Sequence, residues 1–216
     1  HAVSTVPYYR QLFAERRLRA DDIQTVADLA KLPILDKATI RQQGDNMLSR
    51  RWPKRRLRAN HTGGTTGTSL HIMADRDTQP WQWAVWWRHH ERFGVEVHAP
   101  FIVFAGRNVV PLRCMNPPVW RRNLPMHQTY ISVHHLTVQN MPAVADYLMR
   151  RKVTYYSGYP SAIYLVACYF LDRGMSLPHP PQVVFTGAET LLPHQREVIN
   201  RAFSTRCADQ YGATEQ

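Results

Sequence analysis

The sequence predicts an α/β fold of layered, mostly parallel sheets with flanking helices. Short apolar runs such as Phe101-Ile102-Val103-Phe104-Ala105 alternate with stretches of helical periodicity over most of the chain. Three such runs each lead into a turn of small and polar residues: Gly158-Tyr159-Pro160-Ser161, Thr186-Gly187-Ala188-Glu189 and Tyr211-Gly212-Ala213-Thr214-Glu215. In a parallel sheet the carboxyl ends of the strands form one edge, and ligands bind beyond it. The 216 residues suffice for a good core. We divide them at residue 60 into a helical lead-in with a basic segment (1–60) and an α/β domain (61–216).

Residues 6–17 read as a helix with Pro7 in its first turn and Tyr8, Leu12 and Phe13 on one side. Residues 25–32 read as a short helix, with Thr25 at its N-cap and Asp28 in the N3 place of a capping box. Pro33 pushes Leu32 out of helical space, and Asp36 then caps a third helix to about residue 43. Residues 70–73 suit a strand. Residues 77–93 form a helix carrying Trp81, Trp83, Trp86 and Trp87, whose rings call for a core or a partner. Strands are expected at 101–105, 130–136, 153–156, 182–185 and 207–210, and helices at 141–150, 162–173 and 193–203. Gly174 stands at the C′ position of its helix, and the proline-rich 111–126 is irregular.

Composition narrows the function. An apolar fraction of 44% and a charged fraction of 20% describe a globular protein. Cys114, Cys168 and Cys207 are odd in number and far apart, which fits neither a disulfide framework nor a zinc ribbon and points to a reducing cytoplasm. The apolar run at 162–171 is about half of the ~20 residues a membrane span needs, and no signal-peptide pattern opens the chain. Much of the net charge of +11 sits in Arg50, Arg51, Lys54, Arg55, Arg56 and Arg58. Such a cluster suits a solvated face, an anionic membrane, a nucleic acid or the steering of a polyphosphate. With no helix-turn-helix, RNP-type or zinc-finger pattern beside it, no specific nucleic-acid partner is expected. His134 and His135 are adjacent on a predicted strand and so point to opposite faces, which argues against a metal site.

Directly after the basic cluster comes His61-Thr62-Gly63-Gly64-Thr65-Thr66-Gly67-Thr68-Ser69-Leu70. Glycines allow close approach of backbone to a ligand, and threonine hydroxyls with freed N–H groups can surround an anion. A surface turn and a phosphate cradle both fit. The P-loop pattern is absent, because Thr68 stands where its lysine should follow Gly67, and no G-x-G-x-x-G fingerprint occurs.

Taken together, Thr62 to Gly67, Thr186 to Glu189 and Tyr211 to Glu215 resemble the adenylate-forming enzymes that activate carboxylates with ATP. Val6-Pro7-Tyr8-Tyr9-Arg10, Leu32-Pro33-Ile34-Leu35-Asp36-Lys37 and Gly158-Tyr159-Pro160-Ser161 add a likeness to the branch of phenylacetate–coenzyme A ligases and their capsular-polysaccharide-biosynthesis relatives. The resemblance runs the length of the chain and implies that 61–216 is an AMP-binding domain within the large N-terminal domain of such an enzyme. Thr62, Gly63, Gly64, Thr65, Thr66 and Gly67 would then wrap the β- and γ-phosphates. Gly187, Ala188 and Glu189 would line the adenine pocket, and Tyr211, followed by Gly212, would stack on the base. Thr214 would bond the α-phosphate and Glu215 would hold Mg²⁺, as the two residues nearest the chemistry. Tyr159 would border the carboxylate substrate.

The implied reaction forms an acyl-adenylate and pyrophosphate from ATP and an acid, followed by transfer of the acyl group to coenzyme A. Such chemistry needs positioning and charge neutralisation more than a protein nucleophile, and the sequence shows no Ser/His/Asp or Cys/His arrangement. The implied partners are a small carboxylate and, as an open expectation, a second copy in a homodimer. The loop departs from the family pattern in carrying Thr68 and Ser69 where relatives often have Lys-Pro or Thr-Pro. Family members continue past the position of Glu215 with a ribose-binding aspartate, a hinge and a small C-terminal domain bearing a lysine. The expectation from the resemblance is therefore a first half of such an enzyme, inactive alone. The alternative is a non-catalytic remnant that binds nucleotide or a partner.

Overall fold

The computed structural model describes residues 1–61 and 70–212; the segments 62–69 and 213–216 lie outside the described residues. The chain forms two compact units, His1–Trp83 and a second beginning at Ala84.

The first unit opens with α1 (Ala2–Thr5) and α2 (Pro7–Glu15). Val6 between them is extended, and Pro7 takes the first helical position, where its missing N–H costs nothing. Phe13 is buried on the inner side of α2. α3 (Lys37–Gln43) begins as expected: the Asp36 carboxylate accepts from the Thr39 N–H at 2.7 Å, which also holds Asp36 below the usual carboxylate range. The helix expected at 25–32 is instead a 3₁₀ turn, Ala27–Lys31. Asp28 accepts from both the N–H and the hydroxyl of Thr25 at 2.8 Å, while Lys31 pairs with it at 2.6 Å. These three-residue spacings favour the tighter winding.

The basic segment is more ordered than its composition suggests. It forms a 3₁₀ turn, Lys54–Arg56, and then β1 (Leu57–His61), which pairs antiparallel with β2 (His71–Asp75) in the register Leu57↔Asp75. This pairing carries the first compact unit past the boundary drawn at residue 60. Lys54 pairs with Asp45, and Arg56 pairs with Asp77 at 3.6 Å. The Arg51 and Arg56 guanidiniums lie 5.5 and 5.0 Å from the Trp52 ring.

Of α4 (Thr78–Glu91), the residues from Ala84 belong to the second unit. There follow β3 (Phe101–Ala105), β4 (Trp120–Asn123), β5 (Gln128–Ser132), α5 (Met141–Met149), β6 (Tyr155–Gly158), α6 (Pro160–Asp172), β7 (Val183–Gly187), α7 (Pro193–Phe203) and β8 (Cys207–Gln210). They build a six-stranded sheet in the order β4-β5-β3-β6-β7-β8. β3, β5, β6, β7 and β8 run parallel, and β4 is antiparallel to β5 at the edge. The mostly parallel α/β architecture expected from the sequence is present.

β3 reads as an unbroken apolar run, and β7 is apolar through Phe185, because both sheet faces are covered. Ile102, Phe104, Tyr156 and Val184 face one core with residues of α5, α6 and α7, while Phe101, Val103, Tyr155 and Phe185 face the other. β4 lies within the stretch 111–126 expected to be irregular; three of its four residues are exposed and leave no apolar alternation to read. The strand expected at 130–136 starts earlier and ends at Ser132; Val133–His135 is a 3₁₀ turn closed by a 2.8 Å contact between Ser132 Oγ and His135 Nδ1. The two histidines therefore share a turn, not a strand. Trp86 and Trp87 pack edge to face at 4.7 Å, whereas Trp81 and Trp83 lie 74% and 48% exposed.

His90 is buried against the second core. Its ring lies 3.8 Å from that of Phe185 and 5.2 Å from that of Tyr155, and Nδ1 donates to the Trp86 carbonyl at 2.8 Å. Burial pushes its pKa from 6.5 down to about 4. Burial, with Arg92 nearby, lowers that of His89 as well. The unfolded chain binds protons on His90 below about pH 6.5 while the folded chain resists until about 4, so stability is fully present above that window and falls within it. We expect a loss of about 3 kcal/mol between pH 7 and 4 from this residue, read by urea unfolding, and a shallower acid limb in His90→Phe. Equal pH slopes for the two proteins would refute this. Among the described residues, no helix is long and apolar enough to cross a membrane.

Candidate functional site

Sheet register places the described residues of the predicted site at one edge. One row of partners crosses the sheet as Ile131–Phe104–Gly158–Thr186–Asp209. The residues just past it therefore emerge on one edge: Gly106 and Arg107 after β3, Tyr159 after β6, Ala188 and Glu189 after β7, Tyr211 and Gly212 after β8. This is the carboxyl edge, where parallel sheets bind ligands.

Each segment is fixed by its own contacts. The Tyr159 N–H donates to the Phe104 carbonyl at 2.9 Å, and the Tyr159 hydroxyl lies against Gly106, 3.2 Å from where a β-carbon would stand. Arg107 sits 5.6 Å from the Tyr130 ring centroid, and burial raises the Tyr130 pKa despite that cation. His134, from the turn after β5, bonds through Nε2–H to the Gly106 carbonyl at 3.1 Å, which fixes its tautomer. His134 thus braces the loop after β3.

The loop after β7 is tied down at both ends. Thr186, fully buried, donates its hydroxyl to Asp209 at 2.8 Å and so locks β7 to β8. Ala188 adopts a left-handed φ of 66°. The Glu189 carboxylate then accepts from the Ser161 N–H at 3.2 Å, in the first turn of α6. Gly187 pairs with Gln210, so Ala188 and Tyr211 leave neighbouring strand ends. Tyr211 is 90% exposed, a large ring held out from the sheet edge.

Of the expected site residues, Tyr159, Gly187, Ala188, Glu189, Tyr211 and Gly212 share this edge. Thr62, Gly63, Gly64, Thr65, Thr66, Gly67, Thr214 and Glu215 lie outside the described residues. Among the described residues, no group of three or more His, Cys, Asp or Glu is placed to hold a metal ion. Asp209 and His134 were not legible as site residues, since their partners are 23 and 28 positions away. Two of the clefts among the described residues lie elsewhere. One, of about 220 Å³ in the first unit, is lined by Asp45, Arg50, Trp52 and Lys54. The other, of about 120 Å³, is lined by Arg122, His127, Arg151 and Lys152 at the opposite, amino edge of the sheet.

No family model matches the chain. It is 28% identical over 208 residues to Protein CapK of Staphylococcus aureus, covering 96% of this chain and 46% of that protein. Among solved structures, 2-hydroxyisobutyryl-CoA ligase in a postadenylation state with R3-HIB-AMP matches with a TM-score of 0.70 and 13% identity, over 100% of this chain and 46% of that one. The same ligase in an open conformation with 2-HIB-AMP and CoA matches at 0.65 and 14%, over 96% and 49%. The chain therefore shares the α/β fold of part of these CoA ligase structures and spans about half the length of these relatives.

Proposed function

We propose that the chain carries the nucleotide-binding part of an enzyme that activates a carboxylic acid with ATP and passes the acyl group to coenzyme A, in the manner of phenylacetate–CoA ligases. A carboxylate oxygen attacks the α-phosphorus, the bond to the β-phosphate oxygen breaks, and pyrophosphate leaves; the coenzyme A thiol then attacks the acyl carbon and AMP departs. The observation that carries the reading is the carboxyl edge, where an exposed aromatic ring, Tyr211, stands beside the small residues Gly187 and Ala188. Small residues leave room for a purine, and the ring offers it a stacking face. The relatives' bound acyl-AMP supports the same class of ligand.

The remaining roles rest on the motifs. In this proposal Thr62, Gly63, Gly64, Thr65, Thr66 and Gly67 wrap the terminal phosphates, Thr214 bonds the α-phosphate, and Tyr159 borders the acid. Glu215 supplies the oxygen ligand for Mg²⁺, which would neutralise phosphate charge; the donor type fits a hard cation. Cytoplasmic location and a homodimer belong to the same proposal.

Calorimetry of the 216-residue chain with ATP–Mg²⁺ tests it. We expect saturable binding that Tyr211→Ala weakens about tenfold, the value of one lost base–aromatic stack. Absence of binding, or identical affinity in the variant, would overturn this assignment of the edge.

A further inference from the structure

We infer that Glu189 is a positioning residue that couples the nucleotide loop to the acid-side wall of the site; this rests on the adenylation reading above. α6 has no side-chain cap of its own: Tyr159 occupies the N-cap position and Pro160 the first turn, leaving the Ser161 N–H to find a partner. Glu189 provides one from 28 residues away, at 3.2 Å. A carboxylate there also meets the positive end of the α6 dipole.

The contact has consequences at both ends. Ala188 stands in left-handed backbone space that an alanine adopts at some cost, so something must hold it. The Thr186–Asp209 bond anchors the loop before Ala188, and the Glu189–Ser161 bond anchors it after. At the other end, α6 starts from Tyr159, whose hydroxyl lies against Gly106, and the Gly106 carbonyl takes the His134 bond. A continuous set of contacts thus runs from Ala188 through Glu189, Ser161 and Tyr159 to Gly106. With its carboxylate occupied by the helix, Glu189 acts on the adenine through the shape of loop 187–189. Nucleotide bound at that loop is then felt at Tyr159, and by linkage an acid bound at Tyr159 is felt by the nucleotide.

Two readouts on the 216-residue chain test this: amide hydrogen exchange at Ser161 and calorimetric ATP–Mg²⁺ affinity. In Glu189→Ala we expect the Ser161 amide to exchange about tenfold faster without nucleotide and ATP affinity to fall about fivefold, a cap-sized effect. Glu189→Gln keeps an acceptor oxygen and recovers most of both. Ser161→Ala keeps the backbone donor and behaves as wild type. In wild type, ATP slows exchange at Ser161, and Glu189→Ala abolishes that slowing. Unchanged Ser161 exchange in Glu189→Ala overturns the strut itself. Faster exchange with unaltered ATP affinity overturns the coupling. A wild-type chain that fails to bind ATP overturns the adenylation reading instead, and the nucleotide-free exchange at Ser161 still judges the strut.

Discussion

Gly158→Ala is expected to destabilise the second unit by about 4 kcal/mol or to prevent its folding, as severe backbone conflicts do. Gly158 ends β6 with a φ of 143°, a region costly for any side chain. A β-carbon there would stand 2.0 Å from the Phe104 carbonyl oxygen and 2.9 Å from the Phe104 nitrogen. Both belong to the neighbouring strand in register, so neither can withdraw without opening β3 from β6. The same oxygen accepts the Tyr159 N–H, so the substitution also releases the residue proposed to border the acid. Gly187→Ala is the control. Its β-carbon would meet the Gln210 oxygen at 3.3 Å, a contact that a small shift relieves, and its φ is unremarkable. We expect Gly187→Ala to unfold within about 1 kcal/mol of wild type yet bind ATP less well, since it narrows the space beside Tyr211. Thermal unfolding of both variants checks the contrast; comparable melting temperatures would refute it.

What the sequence disclosed follows the range of the forces involved. The strand at 101–105, the helix at 193–203 and the strand at 207–210 were read at their observed bounds. Their patterns are local and both flanks are punctuated. The Asp36 cap was legible for the same reason, as donor and acceptor lie three residues apart. The 3₁₀ turns were not, because helical periodicity over a handful of residues does not separate the two windings. β4 was invisible, since an exposed edge strand owes its conformation to pairing with β5 and not to its own residues. At the site, the turns were found by their small residues and by the strands before them. The contacts that organise those turns, Glu189 with Ser161 and Thr186 with Asp209, join distant positions and needed the register. The roles of 62–67 and 214–215 stand on resemblance alone, as those residues lie outside the described structure.

Phe185→Ala should show how far the second core governs the site beyond it, with an expected loss of about 4 kcal/mol, in the range for deleting a buried phenyl ring. Phe185 is 2% exposed, and its ring meets those of His90 at 3.8 Å and of His89, Phe93 and Tyr155 at 5.5 Å each. Those neighbours come from α4, from the segment after it and from β6, so the cavity cannot be closed by moving one of them. The acid response carries the more specific signal. With the ring removed, water reaches His90, its pKa rises toward the ordinary 6.5, and the proton uptake that separates folded from unfolded chain shrinks. Phe185→Ala is therefore less stable at pH 7 but loses less further stability down to pH 4 than wild type does. A double variant with His90→Phe would flatten the acid limb no further than His90→Phe alone, because both changes act through one titration. Urea unfolding at pH 7 and 4 for the four proteins measures this directly. Parallel acid limbs in wild type and Phe185→Ala would mean that Phe185 does not set the dryness around His90. The outcome also bears on the proposed ligand edge, because Phe185 immediately precedes Thr186, whose bond to Asp209 holds β7 against β8 below Tyr211. If the aromatic cluster fixes that strand end, ATP affinity should fall with the core, by about threefold or more under conditions where the variant is still folded.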